Sequence, residues 1–309
     1  MAINLKHNDL IYPYFVTEGI NKKKEIKSFP EVFRFSVDRL IEDIGETRKI
    51  GLTKILLFGV PSDKDALGVA AYQKDNIVAL AVKRIKKEFP ALTVMTDVCL
   101  CAYTDHGHCG IIKKSKTGFK IDSDKTLKAL AQIALSHADA GADWVAPSAM
   151  AKKQVKAIRD ALDKNEFKET KIMGYSAKFA SNFYGPFRNA ANSAPGFGDR
   201  RGYQLNYADA ALALKEIKDD IQEGADMVMV KPALSYLDVI KEAGLKFSFP
   251  LAAYNVSGEY AAVKYGARFG AWDEKKMVFE IITSIKRAGA DFIITYHAKD
   301  IARWLKDYS

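Results

Sequence analysis

Apolar runs of four to six residues, many of them β-branched, punctuate the chain, and between most of them apolar residues recur at helical spacing. Eight such runs can be marked: Ile11–Val16, Lys54–Gly59, Thr93–Asp97, Trp144–Pro147, Ile172–Ser176, Met227–Val230, Leu251–Val256 and Phe292–Tyr296. "DKTLKALAQIALSHADA" and "EKKMVFEIITSIKRA" are examples of the amphipathic stretches between them. A phrase recurs at the junctions: "AGADWVAPS" from Ala140, "EGADMVMVKP" from Glu223 and "AGADFIITYH" from Ala288. Gly closes a helix in the left-handed conformation, and the apolar run that follows Ala-Asp reads as a buried parallel strand. Eight strands alternating with helices in 309 residues predict an α/β protein, a (β/α)8 TIM barrel. An open doubly wound sheet would carry a G-x-G-x-x-G turn after an early strand; neither that nor a P-loop is present. With no Pro/Ser-rich linker, residues 1–309 read as a single catalytic domain.

A barrel of this kind does its chemistry at the carboxyl ends of its strands. Polar residues fall there: Asp97 and Cys99 after the third run, Ser148 after the fourth, Lys178 after the fifth, Lys231 after the sixth, Ser257 after the seventh, and Tyr296 ending the eighth. Lys231 and Lys178 occupy the same level on adjacent strands, which lie about 5 Å apart. Two ammonium groups so close in a partly desolvated mouth repel each other, and burial also disfavours charge. An amine with a lowered pKa is a nucleophile that forms Schiff bases with ketones. Structural ion pairs with acidic neighbours are the alternative for either lysine alone. Arg188, Arg200, Arg201 and Gln204 follow in one Gly/Pro-rich loop, where they either bind a carboxylate or tie the loop to the body.

Composition narrows the class of protein. Hydrophobic residues make up 48% and charged residues 28%, ordinary for a globular chain. No apolar run approaches a membrane span, and no signal-peptide pattern opens the sequence. Lys and Arg exceed Asp and Glu by 47 to 38, a net charge of +9. The lysine runs lack interleaved aromatics, so they read as solvated surfaces, with neither nucleic acid nor a membrane expected as partner; the field also favours an anionic small substrate. All three cysteines lie in "TDVCLCAYTDHGHC", residues 96–109, which argues against a disulfide framework and for a reducing, cytoplasmic compartment. Their spacing is C-x-C-x7-C. It suits neither a thioredoxin-like pair nor an all-thiolate structural site, and fits a catalytic zinc with an open fourth position; three free, partly buried thiols are the alternative. Asp97, Asp105, His106 and His108 then either support the ligands or hold the loop.

These residues closely resemble one family, porphobilinogen synthase, also called 5-aminolevulinate dehydratase. The resemblance rests on "DVCLCAYTDHGHCG", "YSAKFASNFYGPFR", "GDRRGYQLN", "MVMVKPALSYLD", "YNVSGEYAAVK" and "SIKRAGADFIITY", in family order over nearly the whole chain. It implies a lyase of tetrapyrrole (heme) biosynthesis that condenses two 5-aminolevulinate molecules to porphobilinogen. In that reading Lys231 forms the Schiff base with the propionyl-side substrate, Lys178 engages the acetyl-side substrate, and Asp97 supports proton transfer. Cys99, Cys101 and Cys109 match the zinc ligands of the metal-dependent branch. Arg188, Arg200 and Gln204 correspond to groups around the acetyl-side carboxylate, Ser257 and Tyr296 to ligands of the propionyl-side carboxylate. Tyr184, Phe187 and Tyr254 shape the cavity, with Ser148 beside it. Glu216 matches a position linked to allosteric magnesium.

The chain also departs from the family. About ten residues precede "IYPYFV", so the N-terminal arm that helps build the family's octamer is expected to be essentially absent, and the homo-oligomer smaller, such as a dimer. After Ser148, where members read Asp-Met-Met-Asp-Gly, this chain has Ala149, Met150, Ala151, Lys152 and Lys153. Ala102, Asp105 and His297 also depart from the usual residues. They leave open a diverged paralogue that uses the same lysines on another amino-ketone or aldehyde.

Overall fold

The computed structural model describes residues 5–115 and 118–306. Its strands are β1 (Leu10–Thr17), β2 (Lys23–Ile26), β3 (Phe29–Phe35), β4 (Lys54–Val60), β5 (Thr93–Val98), β6 (Ile112–Ser115), β7 (Gly118–Ile121), β8 (Trp144–Pro147), β9 (Lys171–Lys178), β10 (Met227–Lys231), β11 (Leu251–Asn255) and β12 (Phe292–Thr295). Eight of them pair in parallel in the order β12-β11-β10-β9-β8-β5-β4-β1, and β1 pairs with β12 to close the barrel. The (β/α)8 fold and all eight expected strands are therefore present. Strands β10 and β11 are buried at every position, one face filling the barrel and the other covered by helices.

The repeated Gly-Ala-Asp phrase has a clear structural cause. Gly141, Gly224 and Gly289 take φ of 97°, 98° and 123°, turning the chain out of each helix. The Asp that follows grips the first turn of the preceding barrel strand. Asp143, Asp226 and Asp291 accept the N–H of Val94, Ile172 and Leu251 at 2.7, 2.8 and 2.9 Å. Each also donates its own N–H to the carbonyl of the same residue. A carboxylate bond to a backbone donor is charge-assisted, so the phrase fixes the register of neighbouring strands as well as ending the helix.

Four strands lie outside the eight. The antiparallel pair β2–β3 follows β1, and β3 runs beside the end of β1 through Phe15–Arg34 and Val16–Phe35. The β6–β7 hairpin projects from the cysteine loop. Its lysines read as a solvated basic loop because Lys113, Lys114 and Lys120 are exposed. Several strand ends also differ from expectation. Strand β9 runs on to Lys178 and β10 to Lys231, whereas β12 stops at Thr295, one residue short of Tyr296.

Lys153 caps the helix Gln154–Lys164 in the left-handed region, at φ 63° and ψ 20°, with its side chain exposed. A side chain there strains the backbone by about 1–2 kcal/mol. Lys153→Gly is expected to raise stability by about 1 kcal/mol, part of the relief being offset by the freer unfolded chain. Denaturant midpoints measure this, and an unchanged or lowered midpoint would contradict it.

Candidate active site

The two lysines are the last residues of adjacent strands and sit directly opposite each other in register. That pairing depends on a bulge. Val228 opposes Gly174 and Val230 opposes Ala177, so β9 carries one extra residue between them, which brings Lys178 level with Lys231. Both amines are buried, and Lys178 Nζ donates to the Ser148 carbonyl at 2.6 Å. Lys231 Nζ lies among aromatic rings, 3.9 Å from the centroid of Tyr254, 5.0 Å from Phe187, 5.1 Å from Tyr175 and 5.5 Å from Tyr184. Burial, and then the neighbouring Lys178, hold the Lys231 amine well below its ordinary pKa. An amine with a lowered pKa on a strand end, walled by rings, is equipped to attack a carbonyl.

Asp97 shares this cavity with Lys178, Lys231, Ser148, Cys101 and Arg200. Burial, and then Cys101, push its carboxyl up to about 6, opposed by the two lysines and a Ser148 hydrogen bond. Its Oδ1 is enclosed and has no hydrogen-bond partner. A carboxyl with a pKa near neutrality, one free oxygen and two amines as neighbours can carry a proton either way.

An arginine loop, residues 191–205, forms the outer wall; Arg188, expected in that loop, sits instead on the short helix Gly185–Ala190 just before it. Arg200, Arg188 and Gln204 line one cavity. Arg200 is held by the carbonyls of Gly107, at 2.9 Å, and Ser193. Three polar groups remain enclosed without partners: Arg200 Nε, Arg188 Nε and both amide atoms of Gln204. Buried donors left open are rare and costly, and three converging in one cavity suit a ligand with acceptor oxygens such as a carboxylate. Arg201 and Asp199 pair at the exposed rim of the same cavity. If the loop binds a carboxylate through Arg200, Arg200→Ala should raise KM by about 10- to 100-fold, from loss of about 1.5–3 kcal/mol of charged hydrogen bonding, with little change in kcat. Steady-state kinetics measure it, and a normal KM would remove the assignment.

On the opposite side Tyr254 and Tyr296 share a hydroxyl–hydroxyl hydrogen bond of 3.0 Å. Ser257 Oγ accepts from the Phe187 N–H at 3.1 Å and donates to the Phe183 carbonyl at 3.0 Å, so it pins the segment bearing Tyr184 and Phe187. Tyr184 Oη reaches the carbonyls of Phe179 and Lys231. Buried Glu259 accepts from the N–H groups of Val256 and Leu234 and so ties the exits of β10 and β11 together. Glu216 lines one cavity with Asp219, Asp220, Glu223, Lys152 and Lys153, and a second with Cys109, Tyr203 and Gln204.

The sulfurs of Cys99, Cys101 and Cys109 lie within 4.8 Å of one another, and all three residues are buried. Hydrogen bonds from Cys101 and Cys99 hold the Cys109 thiol well below its usual range, with Arg200 and Lys178 adding to the effect. The same sharing pushes Cys99 up. Soft, clustered sulfur donors with one already inclined to the thiolate fit a zinc-like cation and not a hard one. Glu274, His297 and Asp300 form a second cluster, but Lys264 already supplies its cation, at 2.7 Å from Glu274 and 3.2 Å from Asp300.

Two residues at the site went unnoticed in the sequence. Tyr175 lies beneath both amines, 5.6 Å from Lys178 Nζ, and only the β9 bulge reveals its position. Tyr203 touches the cysteine loop through its hydroxyl. Its place in "GYQLN" beside Gln204 was the available signal.

The fold and site define a (β/α)8 barrel with a lysine pair, a thiol cluster and open guanidinium groups at its mouth. A family model described as "Delta-aminolevulinic acid dehydratase" matches residues 1–304. A delta-aminolevulinic acid dehydratase of Bacillus subtilis is 50% identical over 303 residues, covering 98% of this chain and 92% of the relative. One from Methanothermus sociabilis is 52% identical over 297 residues, covering 96% and 91%. Among solved structures, delta-aminolevulinic acid dehydratase (porphobilinogen synthase) of Toxoplasma gondii, in complex with the product porphobilinogen, superposes with a TM-score of 0.95 at 39% identity, covering 98% of this chain and 87% of that one. The chain belongs to the delta-aminolevulinic acid dehydratase family.

Proposed function

We propose that this protein condenses two molecules of 5-aminolevulinate to porphobilinogen with loss of two waters, the step its family's name describes. The observation that carries the reading is the register match of Lys231 and Lys178 at the barrel mouth, with the Lys231 amine held well below its ordinary pKa by burial and by Lys178. Each substrate brings a ketone, an amine and a carboxylate. Lys231 attacks the ketone of the propionyl-side molecule to form a Schiff base, and Lys178 engages the ketone of the acetyl-side molecule. Arg188, Arg200 and Gln204 receive the acetyl-side carboxylate in the cavity where their donors stand open. Tyr296 and Ser257 receive the propionyl-side carboxylate, and Tyr254, Tyr184 and Phe187 exclude water from the Lys231 imine. Asp97 moves protons between the amines and the departing waters.

Zinc is the metal that Cys99, Cys101 and Cys109 hold in this reading. When bound it supplies a Lewis acid for the acetyl-side substrate. Glu216 offers an oxygen ligand for magnesium, although Lys152 and Lys153 in the same cavity lessen the gain for a second cation. Among the described residues no helix is long and apolar enough to cross a membrane, in keeping with a cytoplasmic enzyme acting on a small anionic substrate.

The test is product formation from 5-aminolevulinate by protein as purified, after chelation, and with zinc restored. The expected result is porphobilinogen that disappears on chelation and returns with zinc. Folded protein that makes no product under any of the three conditions would overturn the assignment and favour a paralogue with another amino-ketone substrate.

A further inference from the structure

The cysteine loop and the arginine loop are stitched together more densely than packing alone requires. Gly107 takes φ 70°, and a Cβ there would lie 2.2 Å from the Ala194 carbonyl oxygen, so the two backbones touch. The Gly196 N–H donates to the His106 carbonyl at 3.0 Å, and Arg200 donates to the Gly107 carbonyl at 2.9 Å. At the centre stands His108, fully buried, with both ring nitrogens on the arginine loop. Nε2 is 3.0 Å from the Phe197 carbonyl and Nδ1 is 3.1 Å from the Tyr203 hydroxyl. The Tyr203 hydroxyl in turn lies 3.4 Å from the N–H of Cys109.

With the imidazole uncharged, a single proton arrangement satisfies every one of these bonds. The Phe197 carbonyl only accepts, so Nε2 carries the hydrogen and Nδ1 is left as an acceptor. Tyr203 must then donate to Nδ1, which frees its oxygen to accept the Cys109 N–H. The chain therefore has a fixed direction: Cys109 N–H to Tyr203, Tyr203 to His108, His108 to Phe197. Gln204 follows Tyr203 directly, and its N–H closes a turn on the Arg200 carbonyl at 2.9 Å. These bonds join the Cys109 backbone to the turn that carries both Arg200 and Gln204.

We propose that His108 and Tyr203 are positioning residues which transmit metal occupancy at the three cysteines to the arginine loop, so that a filled metal site sets the groups that receive the substrate carboxylate. The proposal rests on the cysteines holding a metal, as inferred above. Drawing Cys109 onto a metal fixes its backbone, and the relay fixes Arg200 and Gln204 with it.

The test uses the full chain, with Co(II) as the probe because its thiolate charge-transfer absorption reports binding without reference to turnover. Exposed Arg201 gives trypsin a site within the arginine loop, and hydrogen exchange over residues 193–204 follows the same loop independently. In the wild-type chain, Co(II) is expected to slow cleavage after Arg201 about tenfold relative to the chelated protein. Tyr203→Phe deletes one hydroxyl and keeps the ring. It is expected to bind Co(II) with the same absorption and stoichiometry while its cleavage rate no longer depends on the metal. A wild-type loop indifferent to bound Co(II), or a Tyr203→Phe variant that keeps the full protection, would overturn the coupling and leave the metal site standing. Absence of any thiolate–cobalt absorption in the wild type would overturn the metal reading and the coupling together.

Discussion

Lys231→Ala is expected to lower the rate of porphobilinogen formation at least about a thousandfold, the scale on which loss of a covalent nucleophile registers. The side chain sits on a strand end walled by four rings, with Lys178 as the neighbouring amine among the described residues. Lys178 is engaged with the Ser148 carbonyl and cannot reach into the same aromatic pocket without leaving it. Borohydride trapping with 5-aminolevulinate should place an adduct on Lys231 in the wild type and none at that position in the variant. A substantial residual rate would sink its role as the essential Schiff-base lysine. Lys231→Met separates this role from folding. The folded-state pKa of Lys231 is lowered from 10.5, so over the window between the folded value and 10.5 the unfolded chain binds the extra proton and stability rises with pH. At neutral pH the lysine therefore weakens the fold, and the methionine variant should unfold at a higher temperature than the wild type while being inactive. That gap should narrow as pH approaches 10.5. A methionine variant that is less stable at every pH would contradict the buried, neutral amine.

Cys109→Ser is expected to weaken zinc binding by more than about a hundredfold, beyond the 10- to 100-fold that loss of a supporting contact costs, and to lower activity in proportion to the lost metal. Cys109 is the sulfur best prepared to ligate, since its two neighbours donate to it and Arg200 and Lys178 favour its anion. A serine oxygen is harder and far less acidic, so it keeps the shape and loses the donor. Metal content by elemental analysis and the Co(II) absorption both read the change. Unchanged stoichiometry and rate would remove the metal assignment from these residues.

Much of the architecture was legible because burial in a parallel barrel leaves a coarse mark on sequence. A strand covered on both faces must be apolar throughout, and each helix must end before the next strand begins, so "GADWV", "GADMV" and "GADFI" announce three strands with their boundaries. The β2–β3 pair left no such mark. Its alternation is broken at Ile26, where the register shifts, and "KKEI" is exposed at three of four positions. The candidate site was legible for a different reason: amines, thiols and guanidinium groups stand out when they follow apolar runs. Tyr175 and Tyr203 did not stand out, since a tyrosine inside an apolar or loop segment has the same appearance whether it packs or serves a site.

By itself, the sequence determined the (β/α)8 class, the end of the barrel at which its polar residues gather, and the chemical types available there. Those follow from local burial patterns and side-chain chemistry, which are written residue by residue. Tertiary structure alone decided which of those groups meet. The extra residue in β9 sets Lys178 opposite Lys231, whereas an unbroken register would have placed Ala177 there. The approach of Ala194 to Gly107 brings the arginine loop onto the cysteine loop across 87 residues of chain. Register shifts and loop contacts of this kind depend on backbone pairing between distant segments, whose energies belong to no single residue and so leave no local signature in the sequence.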